Sequence, residues 1–265
     1  MDRRVEQRTA ELARAHEALK QSNAELEQFA YIASHDLQEP LRKVQSFGDL
    51  LVTNAGDKLD ETGRLYVDRM QDGARRMQRL INDLLSFARV SSKAKAFMEV
   101  DLAPLVREVV SDLESRITTT GGRVEIGDLP RLDCDPTQMR QLLQNLIGNA
   151  LKFHRDGVPP VVTVSSRLVE GGDGDPRKSA AWAEITVEDN GIGFEEKYLD
   201  RIFAPFQRLH GQGKYEGTGI GLAVCRKVVE RHGGAITARS MPGRGTTFII
   251  TLPLRQPKGE QIQNA

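Results

Sequence analysis

The sequence predicts a multi-domain chain: an all-α helical hairpin with an N-terminal coiled coil, doubled into a dimeric four-helix bundle, followed by an α/β sandwich. Three observations predict it. Apolar residues recur at every seventh position near the start, a second helical stripe follows after one turn, and beyond a short polar linker strands alternate with helices.

Val5, Leu12, Leu19, Leu26 and Ala33 share one heptad seam in a Glu-, Arg-, Gln- and Ala-rich background without Gly or Pro, the pattern of a long coiled-coil helix. The complementary seam, Arg8, Ala15, Ser22 and Phe29, offers few good knobs. A dimer through this stretch alone is therefore marginal, and an amphipathic helix packed on its own domain is the alternative. The helix is expected to continue through Leu37 to Leu51 and to stop at Asn54-Ala55-Gly56-Asp57, a turn sequence. From about Thr62 to Arg89, residues Leu65, Met70, Met77, Leu80, Ile81, Leu84, Leu85 and Ala88 recur at helical spacing and supply the second arm of a hairpin. One hairpin cannot close a four-helix core, so a homodimer is expected. Ser91-Ser92-Lys93-Ala94-Lys95 then breaks the pattern as a linker.

Beyond it the sequence predicts a helix near Ala103 to Thr118, a strand at Arg123 to Ile126 and a helix from Asp135-Pro136 to Phe153. Strands at Val161 to Leu168 and Trp182 to Glu188 flank a glycine-rich excursion from Gly171 to Pro176. A helix from about Gly219 to Arg231 ends at Gly233-Gly234, and Ala235 to Ser240 with Thr246 to Leu254 close the domain as strands. The expected divisions are 1–25 for the N-terminal coiled-coil helix, 26–92 for the hairpin, 97–254 for the α/β domain and 255–265 for a polar tail.

Composition excludes several function classes. Thirty-seven Lys and Arg balance thirty-seven Asp and Glu, so there is no basic field to hold nucleic acid or anionic lipid. The two cysteines, Cys134 and Cys225, lack metal-ligand spacing, which disfavours zinc and fits a reduced, cytoplasmic chain. No apolar run is long enough for a membrane span, and Met1 to Ala10 is not a signal peptide.

Four segments carry candidate chemistry. On the helix ending at Phe153, Asn145, Asn149 and Lys152 lie within about 60° of one another, opposite Leu143, Leu146, Ile147 and Ala150. Carboxamides and an ammonium on one face suit a hard cation and phosphate, although a solvated helix face has the same pattern. Asp189-Asn-Gly191-Ile-Gly193 follows a strand directly, placing a carboxylate where glycines let backbone approach a planar ligand; a plain tight turn is the alternative. Gly217-Thr218-Gly219-Ile220-Gly221-Leu222 opens a helix, whose amides face an anion. It follows no strand and lacks a terminal Gly-Lys-Ser/Thr, so neither a dinucleotide fingerprint nor a phosphate-binding loop fits. The residues between Gly193 and Gly217 have the length and texture of a mobile lid. Finally, Ser34-His35-Asp36 precedes Pro40, whose missing N–H should bend the first helix just after the histidine.

Taken together, Phe29-Ala-Tyr-Ile-Ala-Ser-His35-Asp-Leu-Gln-Glu-Pro-Leu-Arg42 resembles the phosphoacceptor box of sensor histidine kinases, in the version of the phytochrome-type subgroup. Asn145-Leu-Ile-Gly-Asn149-Ala-Leu-Lys152-Phe153, Asp189-Asn-Gly-Ile-Gly193, Phe203-Ala-Pro-Phe206-Gln-Arg208, Gly217-Thr-Gly-Ile-Gly221-Leu and Gly243-Arg-Gly-Thr-Thr-Phe248 resemble the family's ATP-site boxes in their usual order. The resemblance implies a phosphotransfer hairpin joined to an ATP-binding domain of the Bergerat type, with ATP and Mg²⁺ as cofactors. It implies that His35 accepts the phosphoryl group, Asp36 orients its ring, and Arg208 meets the γ-phosphate. Asp189 is implied to read adenine, Asn149 to hold Mg²⁺, and Asn145 and Lys152 to serve the phosphates. Phe153, Gly191, Gly193, Gly217, Thr218, Gly219, Ile220, Gly221, Leu222 and Thr246 are implied to shape the nucleotide pocket. The implied partners are a second copy, a response-regulator receiver domain, and a sensory domain or partner upstream of the coiled coil; by helical phase, Gln38, Arg42, Gln45 and Ser46 are expected to form the receiver's docking surface. Glu39 stands where many members have Thr or Asn, which predicts weak phosphatase activity. A gating ATPase of the same fold and a non-catalytic dimeric module are the rival classes; the His35 box disfavours the first and the complete pocket set the second.

Overall fold

The computed structural model describes residues 7, 8, 14, 17, 21, 34, 36–92, 95–169, 181–209, 215 and 217–256. The heptad positions Val5, Leu12, Leu19, Leu26 and Ala33, the histidine His35, the excursion 171–176 and the tail from 257 lie outside the described residues. The chain divides into two compact units, Met1–Ser92 and Lys93–Ala265.

In the first unit, helix α1 covers residues 36–55 and continues through Pro40, and a 3₁₀ turn at Gly56–Lys58 leads into α2, Glu61–Ser92. Asp60 Oδ1 accepts the Gly63 amide at 2.7 Å, satisfying one of the orphan donors that start α2. The seam between the arms is built from Leu41, Ala74, Ile81 and Leu85. Gln71 lies buried beside it, donating to Asp49 Oδ1 at 2.7 Å. The predicted stripe on α2 splits: Ile81 and Leu85 turn into this seam, whereas Leu65, Met70, Met77 and Leu84 stay exposed, as do Leu37, Phe47 and Leu50 on α1. One hairpin thus buries only part of its apolar surface, the condition that makes a larger bundle favourable.

The second unit is a helical layer on a mixed sheet. The sheet runs β2 (Arg123–Ile126), β4 (Val161–Val169), β5 (Trp182–Asp189), β7 (Gly245–Pro253), β6 (Ala235–Met241); β2 and β4 are parallel and the other pairs antiparallel. Val162, Val164, Ile185, Val187, Phe248 and Ile250 point from it into a core shared with Val106 and Val109 of α3 (Leu102–Asp112), Leu143, Leu146 and Ile147 of α5 (Pro136–Lys152), and Val224 and Val228 of α7 (Gly221–Arg231). Asp135 caps α5, its Oδ1 accepting from the Thr137 and Gln138 amides, with Pro136 at the first helical position.

Four details differ from expectation. The helix expected from Ala103 to Thr118 breaks at Leu113 (φ −95°, ψ 3°), leaving α3 and a separate α4, Glu114–Thr120. A small sheet pairs β1, Met98–Asp101, with β3, Arg131–Cys134; each is too short for a period to show. The helix expected at Gly219 starts at Gly221, because Gly219 has φ +79°. Arg255 and Gln256, expected in a free tail, are fixed: Arg255 bridges Glu99 and Asp133, and Gln256 donates to Asp133 Oδ2 and to the His232 carbonyl.

The start of the unit is fixed at the same corner. The Lys95 amide donates to Asp135 Oδ2 at 2.8 Å, and Arg231 reaches Gln138 Oε1, Asp135 Oδ2 and the Lys95 carbonyl while lying over the Phe97 ring. Next to it, fully buried His232 accepts the Asp135 amide at Nε2 (3.1 Å), so its proton sits on Nδ1 and is donated to the Val228 carbonyl (2.7 Å). Burial, with the Arg231 charge, pushes its pKa below the ordinary 6.5, while the Val228 bond and Asp135 act the other way. The unfolded chain therefore binds a proton that the native state refuses as pH falls below about 6.5, and stability is lost there. Between pH 7.5 and pH 5.5, urea midpoints are expected to fall further for the wild type than for His232→Gln, which keeps an acceptor but does not titrate. Equal falls would show that His232 is not the titrating group.

Both thiols are buried and pushed up to about 12, so neither is a nucleophile.

Candidate nucleotide site

The end of β5 delivers Asp189 into a tight meeting of three backbone segments. The Phe153 carbonyl, at the C-cap of α5, accepts the Ile192 amide at 2.8 Å, and the Ile192 carbonyl accepts the Gly243 amide at 2.7 Å. A side chain at Gly191 or Gly193 would run into the carbonyls of Phe153 and Met241, which is why the segment carries glycine there. Ser240 locks the turn between β6 and β7 to this segment: its hydroxyl oxygen accepts the Phe194 amide at 2.8 Å and lies within hydrogen-bond distance of the Gly245 carbonyl and the Thr246 hydroxyl. Asn190 completes the frame, accepting the Val161 amide and donating to the Pro159 carbonyl.

Within that frame Asp189 is 9% exposed. Its Oδ1 accepts two amides, Gly191 at 2.8 Å and Thr246 at 3.1 Å, and among the described residues Oδ2 accepts none. Burial raises its pKa from 3.8 to about 6 despite those two bonds. It is a buried carboxylate with one oxygen spent on architecture and the other left as an acceptor for a donor brought from outside.

The polar face of α5 lies alongside the residues leading into α7. Asn145 Nδ2 donates to the Gly221 carbonyl at 3.3 Å, and Lys152 Nζ sits 4.0 Å from the Phe153 ring centroid, close to Gly217. The half-buried Asn149 carboxamide makes no hydrogen bond among the described residues. Ile220, at the N-cap of α7, gives no side-chain cap, so first-turn amides of an 11-residue helix are open to an anion. The Thr218 hydroxyl accepts the Ile220 amide at 3.4 Å; Ile220 is buried and Leu222 half-buried.

The segment expected to be a lid from Gly193 onward is anchored at its start by a 3₁₀ turn, Glu196–Tyr198, and by α6, Leu199–Ile202, with Phe203 buried edge-on against Phe248. After Phe203, residues Pro205, Phe206 and Gln207 are exposed. There Phe206 has φ +62° and is exposed, and Gln207 packs against Gly219. Arg208 Nη2 donates to the Tyr215 carbonyl at 2.6 Å, and the Tyr215 ring rests against Phe153 with centroids 5.0 Å apart.

Asp189, Gly191, Gly193 and Thr246 come together in one cluster, and Asn145, Lys152, Phe153, Gly217 and Gly221 in a second that shares Phe153 with it. Sequence reasoning missed Ser240 and Tyr215. Ser240 sits in an ordinary strand, and Tyr215 stands two residues before the glycine run that begins at Gly217. On the hairpin, Asp36 is exposed and Gln38 donates to Asn82 Oδ1 at 2.9 Å across to α2; Glu39 pairs with Lys43 at 2.8 Å.

Comparison with known proteins identifies the family. Residues 25–93 match the His Kinase A (phospho-acceptor) domain, and residues 134–256 match the histidine kinase-, DNA gyrase B-, and HSP90-like ATPase domain. The chain belongs to the sensor histidine kinases. Among curated relatives of this histidine kinase, the phytochrome-like protein Cph1 of Synechocystis sp. is 40% identical over 92% of the chain and cyanobacterial phytochrome A of Nostoc sp. 39% identical over 96%, which places it in the phytochrome-type subgroup. The aligned stretch is 31% and 32% of those relatives, so the chain spans about a third of their length. The solved structure of full-length ShkA in complex with AMPPNP superimposes with a TM-score of 0.63 at 26% identity, covering 87% of this chain and 46% of that one. Acinetobacter baumannii histidine kinase AdeS shares the fold at a TM-score of 0.54 and 20% identity, over 83% of this chain and 98% of that one. Among the described residues no helix is long and apolar enough to cross a membrane.

Proposed function

We propose that this chain is the autokinase core of a two-component system: a homodimer that binds ATP and Mg²⁺, phosphorylates His35, and passes the phosphoryl group to an aspartate of a response-regulator receiver domain. Its parts are a coiled-coil signalling helix over 1–25, a phosphotransfer hairpin over 26–92 and an ATP-binding domain over 97–254. The observation that carries the reading is the buried Asp189 carboxylate, with Oδ1 held by two amides and Oδ2 left to accept. An adenine amino group is a donor of the kind that oxygen takes.

The pocket residues fit the nucleotide by chemistry. Gly191, Gly193 and Gly245 let the backbone segments around Asp189 close on one another, and Thr246 holds Asp189 by its amide. Open amides at the start of α7, framed by Gly217, Thr218, Gly219, Ile220, Gly221 and Leu222, with Lys152 and Asn145 opposite, suit phosphate oxygens. The Asn149 carboxamide, unbonded among the described residues, offers the hard oxygen that Mg²⁺ takes in combination with phosphates. Bound there, Mg²⁺ neutralises charge on the triphosphate.

Transfer then rests on positioning. The neutral imidazole of His35 attacks the γ-phosphorus in line, an N–P bond forms as the bridging P–O bond breaks, and ADP leaves. Asp36 accepts from the far ring nitrogen and stabilises the imidazolium, and Arg208 meets charge on the transferring group. The apolar faces left open on α1 and α2 supply the dimer contact, the receiver docks near Gln38, Arg42, Gln45 and Ser46, and a sensory domain or partner acts through the coiled coil in the cytoplasm.

Incubating the protein with γ-labelled ATP and Mg²⁺ tests this. The expected result is protein-bound label that acid removes and alkali does not, lost by at least about a thousandfold in His35→Gln, the scale of a missing reacting group. Label that persists in the variant moves the acceptor elsewhere, and free phosphate release without labelling makes the domain a gating ATPase.

A further inference from the structure

Arg208 and Tyr215 bracket the segment after Phe206, and three contacts converge on Tyr215. Its carbonyl accepts Arg208 Nη2 at 2.6 Å, its ring packs against Phe153 at 5.0 Å, and its hydroxyl donates to the His154 carbonyl at 3.4 Å. The first contact joins Arg208 to Tyr215, and the other two fasten Tyr215 to the end of α5, where Lys152 Nζ lies 4.0 Å from the Phe153 ring centroid. A guanidinium has five N–H groups, and among the described residues Arg208 spends only Nη2, leaving the others to meet an anion. An arginine without such a contact would have to be ordered at every turnover. Here its position is set by a backbone carbonyl whose own position is set by an aromatic ring.

We propose that Tyr215 is a positioning residue for phosphoryl transfer: it holds Arg208 at the mouth of the nucleotide site, acting through its ring and its carbonyl rather than by touching the substrate. This rests on the kinase reading above. The ring carries most of the effect, since the hydroxyl bond is long.

The test is a double-variant comparison on the full chain, measuring the single-turnover labelling rate at saturating Mg²⁺-ATP and, separately, nucleotide affinity by calorimetry. Tyr215→Ala and Tyr215→Leu are expected to slow labelling by about tenfold to a hundredfold, the cost of misplacing a group that meets the transition state, with affinity changed by less than about threefold. Tyr215→Phe restores most of the rate. Because Tyr215 acts through Arg208, Tyr215→Ala added to Arg208→Ala is expected to slow labelling by no more than about twofold beyond Arg208→Ala alone. Multiplicative losses in the double variant, or slowing fully explained by weaker nucleotide binding, overturn the proposal, as does an unaffected Tyr215→Ala. A wild type that carries no label on His35 overturns the kinase reading itself, an outcome distinct from a labelled wild type whose rate ignores Tyr215.

Discussion

Asp189→Asn is expected to give a domain that is more stable than the wild type at pH 7.5 and that no longer answers to ATP. The asparagine carboxamide oxygen can still accept the Gly191 and Thr246 amides, so the frame survives. Where Oδ2 stood there is now an N–H₂ group. A donor then faces the donor that adenine presents, and a buried mismatch of this kind loses at least about a hundredfold in affinity. Calorimetry with ATP measures that loss directly, and melting curves show it as a transition that ATP no longer raises. An ATP-dependent rise equal to the wild type's would remove Asp189 from the site.

The stability gain follows from the same burial. A carboxyl raised from 3.8 to about 6 is disfavoured as the anion by about 3 kcal/mol, an upper bound on what neutral asparagine recovers. The sign is fixed by linkage: between about pH 4 and pH 6 the native Asp189 holds a proton that the unfolded chain has lost, so its contribution to wild-type stability falls as pH rises through that window. Asp189→Asn lacks this slope, and its advantage shrinks toward pH 4. The group that recognises the ligand is thus one the free protein would be more stable without, a trade common at functional sites.

How far the sequence carries depends on whether a residue's role is local. The face made by Asn145, Asn149 and Lys152 on α5, the Pro136 start and the Asp135 cap follow from spacing and local hydrogen bonding alone. Strands β4 and β5 announce themselves by alternation. The small sheet of β1 and β3 does not, because four-residue strands carry no period, and its cross-link, Arg255, comes from the far end of the domain. Ser240 and Tyr215 escape for the same reason: each matters through groups distant in sequence, Ser240 through the Phe194 amide, Tyr215 through the Phe153 ring and the His154 carbonyl. The break at Leu113 has neither Gly nor Pro to mark it.

Gly245→Ala is expected to damage the protein far more than Gly243→Ala, although both replace a glycine of the same turn. Gly243 has φ +77° with open space where a Cβ would go, so alanine pays only for its left-handed backbone, about 1–2 kcal/mol. Gly245 has φ +103°, and a Cβ there collides with the Asp189 carbonyl oxygen and comes within 3.0 Å of Asn190 Cα. Both obstacles are backbone at the end of β5, and neither can rotate aside. Relief requires the start of β7 to move off β5, which breaks the Thr246 bond to Asp189 Oδ1 and leaves a buried carboxylate less satisfied. The sum is about 4 kcal/mol or more, in the range reserved for strain joined to lost buried hydrogen bonding. Urea unfolding of the two variants measures the difference, and ATP binding should persist in Gly243→Ala and vanish in Gly245→Ala. Equal midpoints would mean that β5 and β7 separate freely at this end, in which case Asp189 could not be held by Thr246 in the way its two-amide geometry requires.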